Sequence, residues 1–397
     1  MHFRDSCVAA ALFLSLGACK GDKGTALAVP TIDTLPGGAI AVHNTGPSAW
    51  ADTNGWRIVE TGRLVAVDSG ESGIVNPRDV AADASGRLYV VDGGPLVIKV
   101  FEPDGRFVRT IGREGAGPGE FRGAMIGLHQ NHIVVQDPTL ARLTIFDTAG
   151  TYITSLASAC CHYRSLPVTA NGTVAAPGPN SRLEYSGMFL RFTAAGQFID
   201  TVYVPKGGDA RYWELKSAGG TMQMGIPFTP GQRSTFAPNG DLVHAWTGDY
   251  RIAIGRNAAD TARVITLTSA PVERPEAERR EYLESRLVVP NEKNWGPKVR
   301  QTFKFEDIPA TATPFENLMV DPAGAVWAQV YTGDTLATAY DVFDSTGAYL
   351  GRIKAPWQPS RAVSWGSPEL AVRIEENEDG YPQITTYRVE RSVRGAE

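Results

Sequence analysis

The 397-residue chain has no surplus of positive charge: 38 Lys and Arg stand against 43 Asp and Glu, a formal charge of −5. Phosphate backbones are bound by a basic excess, so nucleic acid is excluded as an expected partner. Long apolar runs are missing from the body, and without about 18 consecutive apolar residues any membrane association is left to the N-terminus. Histidine is scarce at six and cysteine scarcer at four. The spacings that mark common chemistries are absent as well: no Gly-x-Ser-x-Gly elbow, no His-Glu-x-x-His, no Cys-x-x-Cys and no phosphate loop ending in Gly-Lys-Ser/Thr. No cofactor and no metal set is expected from such a sequence. Gly (42) and Pro (26) are plentiful instead, which suits many turns between short elements and excludes long helical bundles. Hydrophobic residues at 43% supply material for a packed core.

Residues 1–18 read as a secretory signal, because the apolar run Val8 to Leu16 is too short to span a bilayer but fits an h-region. It ends in Leu16-Gly17-Ala18-Cys19, which resembles the lipobox of bacterial lipoproteins. The resemblance implies that Cys19 is diacylated and becomes the mature N-terminus, anchored by two or three acyl chains. Lys20 stands where an Asp would retain a lipoprotein at the inner membrane. By the same resemblance, the expected location is the bacterial cell envelope, at the outer membrane facing the periplasm or the cell surface. Residues 19–54 are expected to form a lipidated tether and lead-in, flexible from Lys20 to about Gly38, where the sequence lacks periodicity. Cys7 leaves with the signal, so Cys160 and Cys161 remain. Adjacent thiols in an oxidising compartment can close a strained vicinal disulfide, stay free, or pair between molecules.

The body repeats itself. Gly86 to Asp92 followed by Val97 to Ile111 reads as strand, turn, strand, turn, strand, and the pattern returns in Asn131 to Leu156 with its turn glycine moved from Gly105 to Gly150. A third copy centres on Gly196, a fourth runs from Pro238 to Leu267 without the turn glycine, and a fifth spans Phe315 to Ile353 around Gly347. The last unit, Glu369 to Val389, stops before an outer strand can form. A period near 45 with about four strands per unit is the signature of a propeller blade, which cannot bury both faces alone and must stack around an axis. An open ring would expose a sheet face and an edge. Arg57 to Val67 precedes the first complete unit and is expected to close the last blade. The fold class is therefore all-β, a six-bladed β-propeller over 55–397, with a short helical insertion at about 271–310 that starts near Pro275 and stops at Pro290.

Ile111 to Phe121, with Asp92 and the Val100 to Gly105 turn before it, resembles the NHL-repeat propellers, and the body from about residue 40 is similar to bacterial six-bladed NHL-like lipoproteins. The resemblance implies the ring. It implies no activity, because the family has none in common.

Asp92, Asp137, Asp147, Asp321 and Asp344 recur with the repeat at strand ends, where a carboxylate accepts turn N–H groups, so a catalytic or calcium role is not assigned to them. Gly115 to Gly119 reads as an inter-blade turn, since its spacing is wrong for a dinucleotide loop. His129, His132, His162 and His244 share no metal-binding spacing. Arg78, Arg164 and Trp213 are candidate ligand-binding rim residues, because Arg and Trp on inter-blade loops commonly anchor interfaces. The Gly- and aromatic-rich stretch 206–231 and the insertion at 271–310 enlarge one rim. The expected function is a membrane-tethered, exported, non-catalytic recognition or scaffold module for a protein, peptide or glycan. The alternative is a metal-dependent hydrolase or lyase of the six-bladed lactonase kind, which requires ionisable groups converging on one point.

Overall fold

The computed structural model describes residues 29–391 apart from 46–47, 51–54, 66–69, 71, 159–165, 179–184, 218–219, 258, 335–336 and 358–362. The signal segment, Cys19, Cys160, Cys161, His162 and Arg164 lie outside the described residues.

Six antiparallel sheets follow one another along the chain. Blade 1 is Pro77–Ala82, Leu88–Asp92, Val97–Phe101 and Phe107–Ile111; blade 2 is Met125–His129, His132–Asp137, Arg142–Asp147 and Tyr152–Ala157. Blade 3 has Thr173–Pro177, Tyr185–Thr193 and Phe198–Pro205, its inner position held by one bridge between Val168 and Val174. Blade 4 is Gln232–Phe236, Leu242–Trp246, Arg251–Asn257 and Asp260–Leu267, and blade 5 is Asn317–Val320, Val326–Val330, Thr338–Phe343 and Tyr349–Ala355. Blade 6 joins Ser364–Ser367, Leu370–Glu376 and Pro382–Glu390 to Arg57–Val65, which pairs antiparallel with Pro382–Glu390. The expected closing strand is therefore the outer strand of the last blade, and the protein is a six-bladed β-propeller.

Each blade is apolar on both faces, as Leu88–Asp92, Val97–Phe101 and Val326–Val330 illustrate by being buried throughout. One apolar cluster fills each blade-to-blade contact. Tyr89 and Ile98 meet Ile133 and Phe146 between blades 1 and 2, Leu143 meets Phe192 between 2 and 3, and Phe189 meets Phe236 between 3 and 4. Ile252 meets Phe343 between blades 4 and 5, Trp327 meets Tyr387 between 5 and 6, and Val372 meets Val90 where the ring closes between 6 and 1. Burial at roughly 25 cal/mol per Å² of apolar surface makes these six contacts the main stabilising term. The turn glycines serve them. Gly347 has φ +89°, and a Cβ there would come within 2.9 Å of Ile265 on the preceding blade, so both backbone and space demand glycine.

The lead-in departs from expectation. Ile40–Asn44, in the expected lead-in, adds in parallel to the outer strand of blade 4, and Thr31–Thr34, in the stretch expected to be a flexible tether, folds back on it. An unpaired edge of N–H and C=O groups offers this pairing to any nearby chain, and Ile40–Asn44 buries Ala41, Val42 and Asn44 on it. The segment then crosses the outside of blade 5, where Ser48 Oγ donates to the Leu350 carbonyl at 2.8 Å and Trp50 N–H to the same oxygen at 2.9 Å. Trp56 stacks on Trp50 and Trp327, with the Arg391 guanidinium 4.3 Å from its ring, before the chain enters blade 6. The N-terminal segment thus straps three blades.

Strand direction sorts the connections. The inner strand of every blade runs from one face of the ring, here called upper, to the other, so all inter-blade connections and all second-to-third strand loops gather on the upper face. Both long insertions are inter-blade connections flanking blade 4. Residues 206–231 hold the hairpin Tyr212–Ser217 and Gly220–Gly225. The later insertion is more helical than expected: α1 (Glu276–Glu281), a π-helical stretch (Tyr282–Val288) and α2 (Val289–Trp295) run on, followed by short 3₁₀ turns. Pro290 does not stop it, because it occupies the first turn of α2, where a missing N–H costs little.

Candidate functional site

The upper face of blade 1 is built on Asp92. This carboxylate is fully buried, accepts the N–H groups of Val75, Asn76 and Gly94, and pairs with the Lys99 ammonium at 3.0 Å. Those bonds hold it ionised and its pKa below the usual carboxylate range, against the desolvation of its site. In blade 2 the Asp137 carboxylate accepts the N–H groups of Arg122, Thr139 and Leu140, and Asp147, Asp321 and Asp344 likewise bind turn N–H groups. The repeated acids are structural turn residues, as their recurrence implied. The Gly115 to Gly119 turn closes on the Glu120 carboxylate, which takes the Gly117 N–H and the Arg113 guanidinium.

Arg78 is exposed near the start of the inner strand of blade 1 and lies against Gly93 and the Asn76 side chain. Its neighbour Asp79 was missed. Asp79 links the inner strands of blades 1 and 2 by accepting the Ile126 N–H at 2.8 Å, and protein packed around it raises its pKa to about 7 through desolvation, opposed by two N–H bonds.

Trp213 is not a rim residue. It is 5% exposed, packs on Phe303 with ring centroids 5.1 Å apart, and donates its indole N–H to Asp307 at 2.7 Å. With Leu215 and Ile226 of the hairpin it meets Leu283, Val288, Val299 and Ile308 of the helical insertion. The two insertions therefore form one cap with its own apolar core. Alternation in Tyr212–Ser217 and Gly220–Gly225, with Trp213 and Leu215 facing one side, is the signal for this hairpin.

Where the cap meets the ring, Arg274 is 4% exposed and sandwiched between the rings of Phe228 and Tyr331, 3.9 and 3.8 Å from their centroids. Its guanidinium pairs with Glu278 and, at 2.7 Å, with Glu316, while Tyr331 donates to Glu278. Burial and Glu278 push the Tyr331 hydroxyl up to about 12. Phe228 holds a left-handed backbone at φ +61°, which a bulky residue adopts only under constraint. Beside it opens an apolar cleft of about 190 Å³ lined by Phe228, Pro230, Pro309, Thr311, Thr313 and Pro314. Nothing in the repeat marks this site, because Phe228, Pro230, Arg274, Glu278 and Pro309 belong to the insertions and meet Glu316 and Tyr331 of blade 5 only in the fold.

The histidines are scattered. His129 and His132 face each other across a tight turn, and burial lowers the His129 pKa. His244 lies in blade 4, where burial lowers its pKa to about 4 and keeps the ring neutral. Among the described residues, no three His, Cys, Asp or Glu side chains come together as a metal site. No helix among them is long and apolar enough to cross a membrane.

A family model described as a 6-bladed beta-propeller matches residues 71–125. No curated protein matches the chain. Among solved structures, the chain is similar to a candidate exported protein of Bacteroides fragilis at 13% identity and TM-score 0.48, covering 88% of this chain and 99% of that one. It is also similar to virginiamycin B lyase of Staphylococcus aureus, at 9% identity, TM-score 0.40 and coverage of 84% and 99%. The calcium-binding protein regucalcin of Agrobacterium tumefaciens follows at 13% identity, TM-score 0.36 and coverage of 88% and 97%. Likeness at these identities carries no chemistry to this chain.

Proposed function

We propose that the protein is an exported, Cys19-anchored recognition module that holds a polypeptide segment in the cleft between its cap and its ring. The observation that carries this reading is Phe228, a bulky residue in left-handed conformation, stacked on a buried Arg274 and bordering an apolar cleft. Strain of this kind costs about 1–3 kcal/mol and collects where a surface must be pre-shaped. The cleft lining offers only the Thr311 and Thr313 hydroxyls among apolar groups, which suits an apolar side chain of a polypeptide better than a glycan. The neighbouring acids Glu278 and Glu316 are both engaged by Arg274, which favours a rigid surface over a reactive one.

A photo-cross-linking residue at Thr313, placed in the full chain in its producing cell, tests the reading. A discrete polypeptide adduct that disappears in the Phe228→Ala background is the expected result. Adducts that are indifferent to Phe228, or that form equally from residues on the lower face, would move the binding surface elsewhere.

A further inference from the structure

Two stretches that line the cleft lead to one cation. Pro230 lines it, and the next residue, Gly231, lies against the Arg233 guanidinium, where an added Cβ would stand 2.8 Å from Nη1. Pro314 lines it too, and two residues on, the Glu316 carbonyl accepts the Arg233 Nε–H at 2.7 Å. Arg233 pairs with Ala245 in the inner strand of blade 4, four residues before the turn at Ala237, and Asn317 holds the same place in blade 5, pairing with Gln329 four residues before the turn at Asp321. Arg233 and Asn317 therefore stand level on adjacent inner strands, at the edge of the central channel.

The cation has no anion of its own. Arg191, Arg274 and Arg391 are enclosed as well, and each meets a carboxylate, on Asp200, on Glu278 and Glu316, and on Asp321. Arg233 is half-buried and donates to backbone carbonyls, those of Glu316 and Gln232. No carboxylate among the described residues lies within ion-pair distance of it, since that of Glu316 is turned to Arg274 at 2.7 Å and attracts Arg233 from farther off. Against that attraction, burial lowers the guanidinium pKa. Its Nη2 donates to no described group and keeps accessible surface. Asn317 is exposed, and its amide makes no hydrogen bond among the described residues. A guanidinium that has lost part of its hydration and keeps a free N–H edge matches a carboxylate, whose two oxygens take parallel N–H bonds. Because the adjoining cleft is apolar, the matching ligand carries its carboxylate beside an apolar side chain, as a polypeptide does at its C-terminus or next to an acidic residue.

We propose that Arg233, with the Asn317 amide beside it, receives a carboxylate of the segment held in the cleft, so that charge and apolar shape are read together. The proposal rests on the cleft reading, and the test separates the two. The full-length protein is titrated in a calorimeter with N-acetyl-Ala-Leu-Leu bearing a free carboxylate, with its C-terminal amide, and with N-acetyl-Glu-Leu-Leu amide. A carboxylate-bearing peptide should bind about ten-fold or more tightly than the neutral amide, and which of the two does so tells a C-terminus from a side chain. Arg233→Gln should abolish the preference, Arg233→Lys should keep part of it as a charge without the fork, and Asn317→Ala should weaken it. Asn317 is exposed, so its variant remains informative if Arg233→Gln loosens the join between blades 4 and 5.

Equal binding of all three peptides, a preference that survives Arg233→Gln, or acetate bound as tightly as the peptide acid would overturn the proposal. Phe228→Ala should weaken the three peptides alike. A carboxylate preference that needs Arg233 and is indifferent to Phe228 is the failure of the cleft reading alone. If no peptide binds, the Thr313 adduct decides: a yield that falls in Arg233→Gln supports the proposal, and an unchanged yield, or no adduct, overturns it.

Discussion

The side-chain oxygen of Asn44 accepts the backbone N–H of Tyr349 at 2.8 Å, joining two residues 305 positions apart. The same side chain donates to the Thr266 carbonyl at 3.0 Å and the Gly347 carbonyl at 3.1 Å, so it stitches blade 4 to blade 5 from outside. Asn44 is 5% exposed, which leaves no water to replace these bonds. Asn44→Ala should cost about 3 kcal/mol, one for each hydrogen bond lost. Asn44→Asp should be at least as costly, because it keeps one acceptor role while losing both donors. Urea denaturation of the two variants checks this, and a midpoint unchanged in Asn44→Ala would remove Asn44 from the account of ring stability.

The N-terminal strands should contribute unequally. Removing 29–44 leaves blade 4 with its own four strands, so a modest loss in melting temperature with a cooperative transition is expected. Removing Arg57–Val65 strips blade 6 to three strands and opens the Pro382–Glu390 edge at the point of closure. That variant should melt far lower and aggregate, since an exposed edge recruits other chains. Calorimetry with light scattering compares them, and equal behaviour would mean that the closing strand is dispensable.

Asp79 should make stability depend on pH in an unusual direction. Its folded pKa of about 7 lies above its ordinary value of 3.8, so the folded chain holds a proton that the unfolded chain releases across that interval. The contribution of Asp79 is greatest at the acidic end and is lost as pH rises from about 4 to about 7, by at most roughly 4 kcal/mol at 1.36 kcal/mol per unit. His244 acts oppositely. Its folded pKa of about 4 lies below 6.5, so stability falls as pH drops through that range. Asp79→Asn can still accept the Ile126 N–H and should gain on the wild type progressively between about pH 4 and pH 7 in parallel denaturant titrations, and no further above that. A difference that stays constant with pH would show that the carboxyl titrates normally.

The ring was legible because one physical demand recurs in it. Gly105, Gly150, Gly196 and Gly347 all take positive φ in the turn before an outer strand; the first three follow one another at 45 and 46 residues, and the two insertions stretch the interval to Gly347. The strap was not legible. Thr31–Thr34 is exposed along its whole length and shows no alternation, and its place is decided by an edge supplied more than 200 residues later. Trp213 misled in a different way: an aromatic in an irregular stretch looks like a ligand anchor when the core that buries it comes from a second insertion some 70 residues on.

Trp213 gives the sharpest division between cap and ring. Its burial against Phe303, Leu283 and Val299 and its bond to Asp307 belong wholly to the two insertions, and none of the six blade-to-blade clusters includes it. Trp213→Ala should therefore free the hairpin from the helices at a local cost of about 3–5 kcal/mol, while the blades keep their protection. Trp213→Phe keeps most of the packing and loses only the Asp307 bond, so it should cost about 1–3 kcal/mol in the cap for the carboxylate left without its donor. Hydrogen exchange read by mass spectrometry distinguishes the regions: in Trp213→Ala, amides of Tyr212–Gly225 and Glu276–Trp295 should exchange quickly, and those of Leu88–Asp92 and Val326–Val330 should not change. Because Phe228 and Pro309 are held in place by the same cap, cross-linking from Thr313 should fall in parallel with the loss of cap protection. Faster exchange in the central strands would instead mean that cap and ring unfold as one unit.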